Sequence, residues 1–187
     1  MNIDSLDSGG VERSMRDPIV SFYSGGTDDR GRTLERILEW RDEDLEAVHD
    51  YIQWVFPTAA PSAVNPSAPL VSDATRAEFA ARPELRAALR ESFERMLTFY
   101  GLRRSGDNSH VRVEIDKSSF ADRARIWLHP GNHNHLRLTR IMQSLAALGL
   151  ISEAEALQRC LTDVYKGAGR TRITNDTYRY WLDALRS

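Results

Sequence analysis

A single cysteine, Cys160, is all the thiol this 187-residue chain has. One thiol builds no disulfide framework, so a reducing compartment fits, and its helical spacing with Leu157, Leu161 and Val164 reads as a small core residue. Basic excess is missing as well: 25 lysines and arginines face 27 acidic residues, a net charge of −2. General nucleic-acid or anionic-membrane binding draws on such an excess to release counterions and is excluded, although a local basic patch is not. No apolar run approaches the length of a bilayer span, Met1 to Asp17 lacks the basic and apolar regions of a secretory signal, and Asn2 rules out myristoylation. Repeats of solenoid period and low-complexity tracts are absent too. A soluble, cytoplasmic protein is expected, with residues 1–20 as a polar arm and residues 21–187 as one domain.

What is present is ordinary globular material. A hydrophobic content of 41% with 28% charged residues excludes a disordered body, and the length lets one domain bury a core without staples. The stretch Leu45–Pro57 carries the densest apolar pattern. Between Asp42 as N-cap and Pro57 as stop, it reads as one helix from Glu43 to Phe56 with a narrow polar seam of Glu46, Asp50 and Gln53. A helix apolar on nearly every side is surrounded by the rest of the chain. Before it, Phe22-Tyr23 followed by Gly25, Gly26 and Gly31 makes an anchored loop. As a phosphate cradle it would lack both the preceding strand and a Gly-Lys-Ser/Thr. A short helix from Arg32 to Trp40 follows.

Four prolines at 57, 61, 66 and 69 make the next segment an extended crossing. Ser72 caps a short helix to Ala81, and Pro83 opens a long one to Tyr100, stopped by Gly101. Residues 102–108 read as surface loop. His110–Ile115 alternates like a strand but has no evident partner, so it reads as extended loop. Helices are then expected over Ser119–Leu128, His133–Leu148, Ser152–Lys166 with a Ser152/Glu155 capping box, and from Thr174 onward. The sum is an all-α, single-domain orthogonal bundle of about seven or eight helices, judged by periodicity.

Several blocks of this sequence carry a resemblance: Phe22-Tyr23 with Gly31-Arg32; Leu45-Glu46, His49 to Trp54 and Phe56-Pro57; Asn65 with Ala68-Pro69; Met96-Leu97 and Phe99 to Gly101; and His133-Asn134, Leu136-Arg137, Thr139 to Ile141, Ser144-Leu145 and Leu148 to Leu150. Together, over roughly residues 21 to 165, they resemble the conserved region of the opioid growth factor receptor family. The resemblance implies a soluble all-helical domain unrelated to the seven-helix membrane opioid receptors, and a receptor-like function. Vertebrate members are described as binding an opioid pentapeptide and lying in or around the nucleus. The C-terminal repeat extension of those members has no counterpart here, so a short, bacterial member is expected. The family pattern supplies no catalytic residues.

The polar positions of these blocks admit two readings. His133, Arg137, Arg140 and Ser144 share one helix face, with both arginines near the positive end of the helix dipole, where an anionic partner is called for. In the structural reading, Arg137 or Arg140 forms bidentate salt bridges to Glu46, Asp50 and Gln53. In the functional reading, Arg32, His133, Asn134, Arg137 and Arg140 face a cleft and bind an anionic ligand such as a peptide carboxylate or a phosphate, with Glu46, His49, Asp50 and Gln53 as polar partners. His129, His133 and His135 lie close together, but no carboxylate or cysteine completes a zinc spacing, so no metal is expected. His49 reads as a buried ring. Trp40, Trp54, Trp127 and Trp181 read as core in preference to a peptide groove.

A non-enzymatic binding module for a peptide, an anionic small ligand or a protein partner is therefore expected, without cofactor. The alternatives are an enzyme or phosphate-handling domain built on the arginines and histidines, and a structural subunit of an assembly. No nucleophile with a base, and no paired acid, supports the first alternative.

Overall fold

Asp17 opens the described part of the chain as a helix cap. In the computed structural model, which describes residues 17–107 and 109–186, its Oδ1 accepts the amides of Ile19 and Val20 at 2.8 and 3.3 Å. Pro18 starts helix α1 (Pro18–Tyr23), and Ile19, Phe22 and Tyr23 are buried. Residues 18–20, read from sequence as arm, thus belong to a helix tied into the core. The arm's remaining residues, 1–16, lie outside the described ones. Thr33 caps α2 (Leu34–Leu38), and three acidic residues fill the first turn of α3 (Asp42–Ala47).

The long helix expected over Glu43–Phe56 is broken. Val48 is extended (φ −89°, ψ 133°) after α3, and the chain becomes helical again only for the single turn α4 (Ile52–Val55). Val48, His49 and Asp50 are poor helix formers. The break also lets every residue from Tyr51 to Thr58 be buried, which a helix with one polar seam does not allow. The expectation of a surrounded stretch holds, and that of a continuous helix does not.

The proline-rich crossing is irregular until Ser72 and Thr75 form a reciprocal capping box at the head of α5 (Asp73–Ala81). Pro83 then starts α6 (Pro83–Tyr100), which ends at Gly101 with φ 73°. A Cβ at Gly101 would lie 2.7 Å from the Cα of Phe120, so glycine is required there for conformation and for space.

A hairpin follows where loop was expected. β1 (Leu102–Ser105) pairs antiparallel with β2 (Arg112–Ile115), Leu102 opposite Ile115 and Ser105 opposite Arg112. β1 reads Leu-Arg-Arg-Ser, with no apolar alternation to betray it. The fold is therefore mainly helical, with ten helices and one two-stranded sheet among the described residues, in place of seven or eight helices alone.

α7 (Phe120–Trp127), α8 (Asn134–Ala147), α9 (Ile151–Lys166) and α10 (Asn175–Asp183) complete the chain, the last capped by Thr174. α9 begins one residue before the expected start, and the Ser152/Glu155 capping box is not formed. Leu150, buried against the core and hydrogen-bonded to the Leu145 carbonyl, sets the start of the helix instead. Trp127 and Trp181 are wholly inside and Trp54 nearly so, which places these three rings in the core. Cys160 is also buried, and burial pushes its thiol up to about 12.

Candidate functional site

Breaking a helix frees carbonyl groups, and each freed oxygen needs a donor when it is buried. Between α3 and α4 the Tyr51 hydroxyl supplies one, to the Leu45 carbonyl at 3.2 Å, and the others come from elsewhere in the chain. Arg137 of α8 reaches across with Nη1 on the Leu45 carbonyl at 2.9 Å and Nη2 on the Val48 carbonyl at 2.8 Å. Asn65 donates to the Asp50 carbonyl at 3.2 Å. Arg137 is only 5% exposed, stands over the Tyr51 ring, and meets Glu46 at 3.9 Å, the limit of an ion pair. Backbone carbonyls, and not the carboxylates of the seam, are its main partners. The break itself produced those partners, and it was not foreseen.

The other seam residues are engaged elsewhere. Asp50 pairs with Arg32 at 2.8 Å and with Arg30 at 3.4 Å. Glu46 accepts from the Asn134 amide at 2.9 Å and stands 3.3 Å from His133 Nε2. Arg140, also expected on the seam, bonds the Phe56 carbonyl at 3.3 Å and Thr58 Oγ1 at 3.1 Å. No carboxylate pairs with Arg140 among the described residues, and burial alone lowers its pKa, unopposed by any acidic neighbour.

Along this junction runs a cleft of about 340 Å³. His49, Ile52 and Gln53 form one wall, residues 61–64 the second, and His133, Leu136, Arg137, Thr139, Arg140 and Gln143 of the α8 side the third. No acidic residue lines it. Leu136 and Val64 are 69% and 68% exposed, an apolar rim over a polar interior. Gln53 is 4% exposed; its Nε2 makes one long bond to Ser62 Oγ (3.4 Å), and its Oε1 has no partner among the described residues.

His49 is exposed, not buried as expected, because it lies on the extended break; its ring stacks obliquely on His133 with centroids 4.9 Å apart. Burial, then the nearby Arg137 charge, lowers the pKa of His133, while Glu46 pulls the other way.

Of the expected ligand-binding set, then, His133, Arg137 and Arg140 are brought together with His49 and Gln53. Arg32 is not among the lining residues: it is held by Asp28 and Asp50 over the Trp40 ring. Asn134 is fully buried behind the wall, bonded to Glu46 and accepting from the Tyr100 hydroxyl. His135 is buried too and donates from Nε2 to the Trp127 carbonyl at 2.9 Å. Among the described residues no three His, Cys, Asp or Glu side chains are grouped to hold a metal ion.

Leu136 and Val64 were missed from sequence. For Leu136 a signal existed: it lies three residues after His133 and four before Arg140, so a large apolar group sits on the polar face of α8. Val64 in a Pro-Ser-Ala context gave none.

A family model described as the opioid growth factor receptor (OGFr) conserved region matches residues 19–187. Among curated proteins, the opioid growth factor receptor of Rattus norvegicus is 36% identical over 138 residues, covering 70% of this chain and 23% of its own length. That of Homo sapiens is 34% identical over 140 residues, 71% of this chain and 20% of its own length. Opioid growth factor receptor-like protein 1 of Xenopus tropicalis is 33% identical over 123 residues, 64% and 23% respectively. The chain thus spans less than a quarter of the length of these relatives. No solved structure matches it.

Proposed function

Because the chain belongs to the family of the opioid growth factor receptor conserved region, we propose that it is a non-enzymatic binding module whose ligand enters the cleft between the α3–α4 break, residues 61–64 and α8. The relatives' names denote receptors, and ligand binding is what this reading carries over. One observation carries it: a half-buried guanidinium, Arg140, without a carboxylate partner among the described residues, opens onto a cleft with no acidic lining and an exposed apolar rim. Such a convergence of a few polar groups with apolar walls is what ligand sites look like. An anionic small molecule or an anionic peptide end fits it best. No helix among the described residues is long and apolar enough to cross a membrane.

The enzymatic alternative rests on His133, with Glu46 near its ring. Among the described residues no hydrogen bond joins that ring to a serine, threonine or cysteine, the activated pair on which acyl transfer turns. The test is an amide-resolved NMR titration of the full chain with short peptides and with inorganic phosphate. Shifts centred on His133, Leu136 and Arg140 are expected, and they disappear in Leu136→Asp. Shifts confined to another face would overturn the assignment of the cleft.

A further inference from the structure

Three features of the cleft restrict the chemistry of its ligand. First, it offers one available full positive charge. Arg137 is committed through both terminal nitrogens to the Leu45 and Val48 carbonyls, and burial with the neighbouring Arg137 charge keeps His133 towards its neutral form. Arg140 uses only Nη1, on the Phe56 carbonyl and Thr58, which leaves its Nε and Nη2 edge for a ligand. A single guanidinium suits a monoanionic, planar carboxylate better than a phosphate dianion. Second, Gln53 lines the cleft and is more than nine-tenths buried. Its Oε1 is shut from solvent without a partner among the described residues, and with Nε2 held only by a 3.4 Å bond the amide gains a hydrogen bond by turning Oε1 to a donor in the cleft. A carboxylate brings none, so the donor belongs to a neighbouring group of the same ligand. Third, no Asp or Glu lines the cleft, and Glu46, which stands beside His133, is already engaged by Asn134, His133 and Arg137, so an ammonium group finds no free counter-charge there.

Resting on the reading of this cleft as a binding site, we infer that it recognises an N-acylated amino acid: Arg140 takes the carboxylate, Gln53 Oε1 takes the amide N–H, and Leu136 with Val64 covers an apolar side chain. The acyl group removes the ammonium that the cleft cannot neutralise. At about 340 Å³ the cleft is at the small end of ligand sites, matching one or two residues and not a folded partner. The same chemistry occurs in a free N-acyl amino acid and in the last residue of any peptide.

The test titrates the full chain, by NMR and calorimetry, with N-acetyl-leucine, N-acetyl-leucine amide, free leucine, inorganic phosphate and a hexapeptide ending in a free leucine carboxylate. N-acetyl-leucine is expected to shift the cleft amides, with the amide form and free leucine each weaker by about tenfold or more, the loss of one charge-assisted interaction. Gln53→Met keeps the volume and is expected to weaken N-acetyl-leucine severalfold while leaving the melting temperature near that of the parent. A hexapeptide tighter than N-acetyl-leucine identifies a peptide end as the source, and a weaker one a free acylated amino acid.

Equal binding of N-acetyl-leucine and its amide, or of free leucine, overturns the inference and leaves the cleft a binding site. Phosphate binding at the cleft without N-acetyl-leucine binding does the same. If no probe shifts His133, Leu136 or Arg140, the reading of the cleft falls together with the inference.

Discussion

Arg137 and Arg140 stand one helical turn apart on α8 and do different work. Arg137 bonds two carbonyls of the α3–α4 break, and Arg137→Ala strands that of Val48 while the Leu45 oxygen keeps the Tyr51 hydroxyl at 3.2 Å, so a cost of about 2 kcal/mol is expected in urea unfolding, within the range of about 1–3 for a buried group left unbonded. Lysine does not restore it, because one ammonium cannot reproduce the two-pronged reach of the guanidinium. Leu136→Asp, on the exposed rim, is expected to stay within about 0.5 kcal/mol of the parent. Histidines add a pH dependence. Burial lowers the pKa of His133 and of His135, so the unfolded chain takes up protons more readily than the fold as pH drops below the ordinary histidine value of about 6.5. Their contribution is therefore whole above that pH and is lost progressively below it. Urea midpoints are expected to fall between pH 7 and pH 5, and a flat profile over that window contradicts the assignment.

Elements with a sustained helical stripe were legible in the sequence, and their ends were legible where a cap residue has a steric reason. α6 begins at Pro83 and stops at Gly101 as its letters require, and α10 begins behind Thr174. The α3–α4 break was not legible, because the apolar pattern of Leu45–Pro57 serves a buried irregular path as well as a buried helix, and only a donor some ninety residues away decides between them. The hairpin was hidden for a related reason. β1 carries two arginines, and its pairing rests on backbone bonds and on the Arg103–Glu114 pair across the strands, at 2.8 Å, instead of on apolar alternation. The site followed the same rule: His133, Arg137 and Arg140 were readable as a helix face, whereas the opposing wall depended on the break. Gly101 gives the element-scale prediction. Gly101→Ala combines a left-handed backbone with a close approach to Phe120, and is expected to lower stability by about 2 kcal/mol, measured by thermal unfolding.

Across the whole molecule, arginines from the long helices hold the irregular segment between α2 and α5 by its carbonyls. Arg95 of α6 donates to the carbonyls of Leu38 and Trp40 at 3.1 and 2.6 Å and pairs with Asp42 at 2.8 Å, while Arg137 and Arg140 of α8 hold Leu45, Val48 and Phe56. Residues 38–58 are thus held by side chains outside the segment in addition to bonds of their own, such as that of the Tyr51 hydroxyl to the Leu45 carbonyl. Arg95→Met is expected to speed amide hydrogen exchange from Leu38 to Val48 while α9 keeps its protection, because local opening follows local bonding. Uniform acceleration across the chain would show that the clamp is not local.

The contrast between the buried run 51–58 and its exposed continuation has a practical side. Residues 59–61, 63 and 64 are exposed, and residues 61–64 form one wall of the cleft. Exposed connections accept inserted domains, whereas buried ones do not. A circularly permuted fluorescent protein spliced in at residues 59–60 would sit beside whatever the cleft captures, converting occupancy into emitted light and turning this fold into a biosensor frame for its own ligand.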